Sequence, residues 1–473
     1  MSSERYIVHS DKPATDVETL RSELQHALLA GVQRVHRHQL RRPGVYIGAG
    51  GPILMDWRLS VLVPNIKLPA GPQSSLFDAS MSIPRTASKA SFLETSVGNA
   101  TLLLIDELGA RHAGRAAGDE GRVVKNCIQI LSGALHVAVA EELDDDGCEV
   151  LYGRAGLLYA LLLLRSELSS ALREASKASS SSSSARDVMQ LFSDDNLQAL
   201  VDNIVKRGHI GAKEYMEELP QEEREGAPSL MWSWHGKRYL GAAHGVAGIL
   251  QMLVSCPTQI ISTHWPDLLS TVKWLLAIQQ PTGNWPSKAG RRMYYAEGGA
   301  ATSKAAKRVS AEFDGGLIQW CHGAPGVLIL LSKILSRTSQ SSSLIISSSL
   351  SDSVIAALNR GGELVYTHGL LRKGVGLCHG TAGSVYTLLA LSSVLDSSTE
   401  PSAYWFSRAA HLAQFATSYQ KLEQKGEMRI PDEPYSLYEG VAGMCCAWAE
   451  VLARLDGLGG TGQRSGMPGY DDL

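Results

Sequence analysis

The chain has 473 residues, 44% of them hydrophobic and 19% charged, with a formal net charge of -3 and a pI of about 6.5. That balance supplies a large core and argues against a nucleic-acid-binding protein, which would carry a basic surface. No unbroken apolar run nears the ~18 residues of a membrane span and the N-terminus carries no signal-peptide core, so the expectation is a cytoplasmic protein with at most peripheral membrane contact.

In chain order, one local pattern recurs: a polar or aromatic residue, glycine, two residues, glycine, then an apolar helical run. It occurs at Tyr46–Gly51, in degraded form at Ser96–Ala100, and clearly at Tyr152–Gly156, His244–Gly248, His322–Gly326, His379–Gly383 and Glu439–Gly443. Between the copies lie amphipathic segments with helical spacing, such as Val17–Val35, Val123–Val139, Leu268–Ile278 and Ala409–Leu422. Alternating β-branched runs are scarce. The pattern predicts an all-α fold, a double-layered α/α toroid of seven inner and seven outer helices forming one domain over 1–455. Glycines at the inner-helix starts let backbones converge near the axis, and the free N–H groups there favour anions.

Three stretches read as flexible insertions: the serine-rich 175–187, the small-residue and lysine stretch 297–308, and 338–353, whose Leu344-Ile345-Ile346 offers a docking point. The glycine-rich 456–473 reads as a disordered tail. The only basic cluster, Arg34–Arg42, lacks the aromatic partners of a nucleic-acid patch and reads as an exposed helix end.

The seven cysteines are odd in number and irregularly spaced, which points to a reducing compartment. Cys127, Cys148, Cys256, Cys445 and Cys446 sit in apolar contexts and read as core. Cys321, Cys378 and His379 instead precede glycine turns at equivalent or adjacent repeat positions, so the toroid would bring them together. Two thiolates and an imidazole suit zinc with one open tetrahedral position. Such a site is a modest Lewis acid towards water but binds an incoming thiol and holds it as thiolate, so the substrate class is a thiol nucleophile. His244 occupies the repeat position of His322 and His379, which makes it a candidate general acid/base, with His322 a second candidate. Glu149, Tyr152, Tyr438 and Glu439 lie at or just before inner-helix starts, where the two carboxylates read as dipole partners; His235 and His368 fall outside the pattern and read as structural.

These blocks, with Gly283-Asn284-Trp285-Pro286, Gly369–Gly380 and Tyr435–Gly440, resemble the eukaryotic branch of the lanthionine synthetase C-like family over nearly the whole chain. The resemblance implies a zinc held by Cys321, Cys378 and His379, with His244 at the family's acid/base position. The chain carries His322 where bacterial members have tyrosine. It further implies glutathione as co-substrate, added to dehydroamino acids in proteins, including those formed by phosphate elimination from phosphoserine or phosphothreonine. Arg5, Lys373 and Arg429 match glutathione-contacting positions. Two other readings stand beside this one. A glutathione- and zinc-binding scaffold or signalling adaptor would need no turnover. An α/α-toroid glycosidase would need two carboxylates at the mouth, for which Glu149 and Glu439 nominally qualify, but would leave the Cys-Cys-His set without a purpose.

Overall fold

The computed structural model describes residues 4–10, 16–38, 40, 42–69, 81–108, 120–140, 147–177, 183–290, 316–457 and 465–473. Seven apolar helices form an inner layer: Gly50–Leu62, Ser96–Leu108, Arg154–Lys177, Val246–Val254, Ala324–Gln340, Thr381–Leu395 and Val441–Leu455. Each packs on the next, and the last packs on the first, so the ring closes. Amphipathic helices cover it from outside, namely Val17–Arg37, Glu120–Val139, Asp194–Glu218, Trp265–Ala277, Ser348–His368 and Tyr404–Ala416. Between Leu62 and Ser96 the described residues form no long outer helix. That stretch carries Pro64, Pro69, Pro72 and Pro84, each of which removes a helical hydrogen bond. The fold is an all-α, double-layered α/α toroid.

The repeat has a sharp structural signature. A Cβ on Gly248 would lie 1.9 Å from the Ala242 carbonyl oxygen, and one on Gly98 2.0 Å from that of Phe92. Gly51, Gly156, Gly326, Gly383 and Gly443 bear the same relation to Val45, Val150, Trp320, Leu377 and Leu437. Only glycine permits this approach, which folds each loop back onto the start of its own inner helix. Backbone bonds then link neighbouring loops around the axis: Cys321 N to Cys378 O (3.3 Å), Cys378 N to Tyr438 O (2.8 Å), Tyr438 N to Tyr46 O (3.0 Å) and Tyr46 N to Leu93 O (2.9 Å). Ser91 Oγ donates to Leu151 O, Leu151 N to Ala243 O (3.2 Å) and Ala242 N to Trp320 O (3.4 Å), completing the circuit.

Three outer helices carry side-chain caps from their N-cap residues, Asp16, Ser193 and Ser347, whereas Trp265–Ala277 and Tyr404–Ala416 do not. The inner helices beginning after Gly245, Gly323, Gly380 and Gly440 have none. Their N–H groups gather at one mouth of the toroid, a positive lining made by backbone alone. Arg154–Leu172 is long and apolar enough to cross a bilayer, but 67% of its most apolar window is buried inside the protein, as expected of an inner helix.

Three expectations need correction. The serine-rich 175–187 is largely helical where described: its first residues end the helix closing at Lys177, and Ser183–Leu191 forms another. The stretch 338–353 continues one helix to Gln340 and begins the next at Ser348; Leu344 is buried and Trp265 Nε1 donates to Ile345 O (3.0 Å). Finally, residues 465–473 are no disordered tail. They plug the bore beneath the mouth, with Met467 and Tyr470 fully buried. Tyr470 meets Trp320 edge to face at 5.1 Å, Tyr159 Oη donates to Asp472 (2.7 Å), and Arg58 lies 3.5 Å from Glu450 and 3.9 Å from Asp472. The glycines that suggested disorder supply left-handed turns at Gly466 (φ 119°) and Gly469 (φ 80°). The stretch 297–308 lies outside the described residues. Removing the buried aromatic by Tyr470→Ala should cost about 3–5 kcal/mol, read as a lowered midpoint in urea unfolding; an unchanged midpoint would mean that the plug does not hold in solution.

Candidate metal centre and its acid/base neighbours

The glycine signature fixes a common register. Two residues after each carbonyl stand, in chain order, Ile47, Glu94, Tyr152, His244, His322, His379 and Glu439. This ring lies at the mouth, and just beneath it, one residue earlier, lie Cys321 and Cys378. Their thiol sulfurs and a ring nitrogen of His379 all lie within 4.8 Å of one another. That span brackets the separations of about 3.5–4 Å between ligand atoms around a tetrahedral zinc. Both cysteines are buried and His379 is half-buried. Hydrogen bonding with Cys378 holds the Cys321 thiol well below the usual thiol range despite burial, His379 adding to the effect, while burial pushes Cys378 up. Gln319 Nε2 also donates to Cys321 Sγ at 3.0 Å. Geometry and donor set therefore fit zinc.

His244 is the neighbouring ring position on the other side of His322. Its Nδ1 lies 2.9 Å from Glu149 Oε2. Glu149 is buried and also accepts the Leu151 N–H (2.8 Å) and the Tyr152 N–H (2.6 Å). The dipole role expected of Glu149 is present, and the same carboxylate also orients His244. Trp234 stacks on the His244 ring at 3.8 Å with planes 5° apart, and Tyr152 lies parallel at 6.1 Å. Trp234 has no signature in the repeat and was not expected.

His322 sits beside Tyr239, ring centroids 5.4 Å apart, and its Nδ1 has no hydrogen-bond partner among the described residues. Burial lowers its pKa. Tyr438 is buried beneath the mouth and donates to Pro468 O (2.9 Å), so it anchors the plug.

The three candidate glutathione contacts come from distant parts of the sequence to adjoining backbone. Arg372 N donates to Arg5 O (3.0 Å) and Arg429 N to Arg372 O (2.7 Å), with Lys373 next along the chain. Arg5, Lys373 and Arg429 are all exposed, and none forms an ion pair among the described residues.

The profile described as lanthionine synthetase C-like protein matches residues 42–455. The chain is 27% identical over 310 residues to glutathione S-transferase LANCL1 of Danio rerio, an overlap covering 64% of this chain and 59% of that protein. It is 28% identical over 325 residues to LanC-like protein GCL1 of Arabidopsis thaliana, covering 68% and 57% respectively. It thus spans less than two thirds of the length of each of these relatives. With the profile match running through all seven inner helices, the chain belongs to the lanthionine synthetase C-like protein family.

Proposed function

We propose that this protein is a zinc-dependent, glutathione-binding enzyme that adds the glutathione thiol to dehydroalanine or dehydrobutyrine residues in proteins, including those left by phosphate elimination from phosphoserine or phosphothreonine. The observation that carries this reading is the convergence of Cys321, Cys378 and His379 within 4.8 Å, beside a histidine oriented by a buried carboxylate. The name of the Danio rerio relative, a glutathione S-transferase, supports thiol transfer. Cys321, Cys378 and His379 would hold the zinc, which when bound lowers the pKa of an incoming thiol.

The remaining chemistry belongs to side chains of the mouth. With Nδ1–H given to Glu149, His244 presents Nε2 as the base that takes the thiol proton. The same base would remove an α-proton in the elimination. Arg5, Lys373 and Arg429 would receive the two carboxylates of glutathione. A sulfur–carbon bond forms at the substrate β-carbon, the C=C pair moves onto the adjoining carbonyl as an enolate, and the α-carbon then takes a proton. None of the seven cysteines forms a disulfide, which supports a reducing, cytoplasmic setting.

The test is a dehydroalanine peptide incubated with glutathione and the metal-loaded protein, followed by mass spectrometry. A thioether adduct should form well above the uncatalysed rate, with about one zinc per chain by elemental analysis. Adduct at the background rate, with zinc and glutathione both bound, would leave a binding scaffold as the better description.

A further inference from the structure

The addition ends with protonation of the α-carbon, and none of the residues assigned above delivers that proton. We infer that Glu94 does: it occupies the ring position across the mouth from Cys321, Cys378 and His379 and acts as general acid at the α-carbon, an assignment that rests on the glutathione-addition reading. Around the closed ring, Glu94 is three positions from His322 in one direction and three from His379 in the other. A nucleophile delivered from the thiol side and a proton from Glu94 would reach opposite faces of the C=C bond.

The surroundings of Glu94 suit a proton donor better than a structural carboxylate. It is half-buried, and its carboxyl forms no hydrogen bond or ion pair among the described residues; only its backbone N–H is engaged, by Ser91 Oγ at 3.3 Å. It precedes the helix Ser96–Leu108, yet Thr95 Oγ1 already accepts the Val97 N–H (3.2 Å) there. A carboxylate serving only the helix dipole would be held ionised. Burial, then the neighbouring Glu439, raises Glu94 to about 7 instead, with Glu149 adding to the rise and Lys89 and Arg42 opposing it. Lys89 is partly spent elsewhere, 4.6 Å over the ring of Tyr152. Tyr152, the next ring position, is itself pushed up to about 12 by burial and by Glu94 and Glu149, so it stays neutral. The groups bearing on Glu94 thus leave it substantially protonated at neutral pH.

The step balances. The Glu94 O–H proton passes to the α-carbon, the enolate electron pair forms the new C–H bond, and the carboxylate regains a proton from water. Glu94→Gln keeps the shape and removes the acid. It should retain zinc and glutathione affinity while slowing addition about 10²–10³-fold. The wild-type rate should fall as pH rises through about 7, and the Gln variant should lose that limb, with Glu94→Asp restoring it in part. With a dehydrobutyrine peptide in deuterated water, the wild type should give one diastereomer, with deuterium and sulfur added anti, and the Gln variant a mixture. Wild-type addition at the background rate would overturn the proposed activity, and this assignment with it. Catalysed addition whose rate, pH limb and stereochemistry survive Glu94→Gln would overturn the assignment alone.

Discussion

Cys378→Ala is expected to release the metal and bring glutathione addition down to the uncatalysed rate. Cys378 is adjacent to His379 in sequence, its thiol is paired with that of Cys321, and its backbone carries two of the bonds that join the loops around the axis. Alanine keeps both backbone bonds and creates only a small void at a buried position, so the toroid should fold. Two remaining ligands cannot hold a zinc that needs three from the protein. The measurement is zinc content by elemental analysis beside adduct formation by mass spectrometry, with helical content by circular dichroism as the folding check. A folded variant that keeps both zinc and turnover would remove Cys378 from the ligand set.

The second large effect concerns the acid/base pair. Glu149→Gln should lower kcat by about 10²-fold, and His244→Ala by about 10³-fold, both with zinc and the KM for glutathione little changed. Glutamine keeps one side-chain oxygen, enough for only one of the Leu151 and Tyr152 N–H groups that Glu149 accepts on separate oxygens, so helical content and zinc content are the checks that the loop holds. It removes the anion that fixes the His244 tautomer and stabilises its imidazolium. The double variant should be hardly slower than His244→Ala alone, because the carboxylate acts through the ring. Additive losses would instead give Glu149 an independent role, and an unchanged kcat in His244→Ala would remove the proposed base.

The fold was legible because glycine is irreplaceable where a loop folds back on its own helix, so the repeat is written in the residue that tolerates least substitution. The same regularity placed His244, His322 and His379 at equivalent positions and brought Cys321 and Cys378 below them. Glu94 escaped for a local reason. Its copy carries Thr95 where the other six have the first glycine, and Thr95 secures the turn through its hydroxyl, which donates to Ser91 O (2.6 Å). Reading the copy from Ser96 therefore shifted its register by two residues. Trp234 was hidden because it enters from outside the repeat. The buried segment 465–473 was hidden because composition does not separate glycines that loosen a chain from glycines that turn it.

Closure of the ring has a consequence for how the molecule comes to be made. The helix Val17–Arg37 packs on Val441–Leu455, with Gly31 against Cys445 and Trp448, and Arg21 pairs with Asp456. The first helix must therefore wait for a partner more than four hundred residues downstream, and the bore stays unsealed until Tyr470 is available. At ribosomal speeds of about 5–20 residues per second, that wait is on the order of a minute, with an apolar inner surface unfinished throughout. Contacts of such sequence separation form slowly and late. A nascent chain of this architecture is thus a natural client for chaperones until Val441–Leu455 has closed the ring and Tyr470 has sealed the bore.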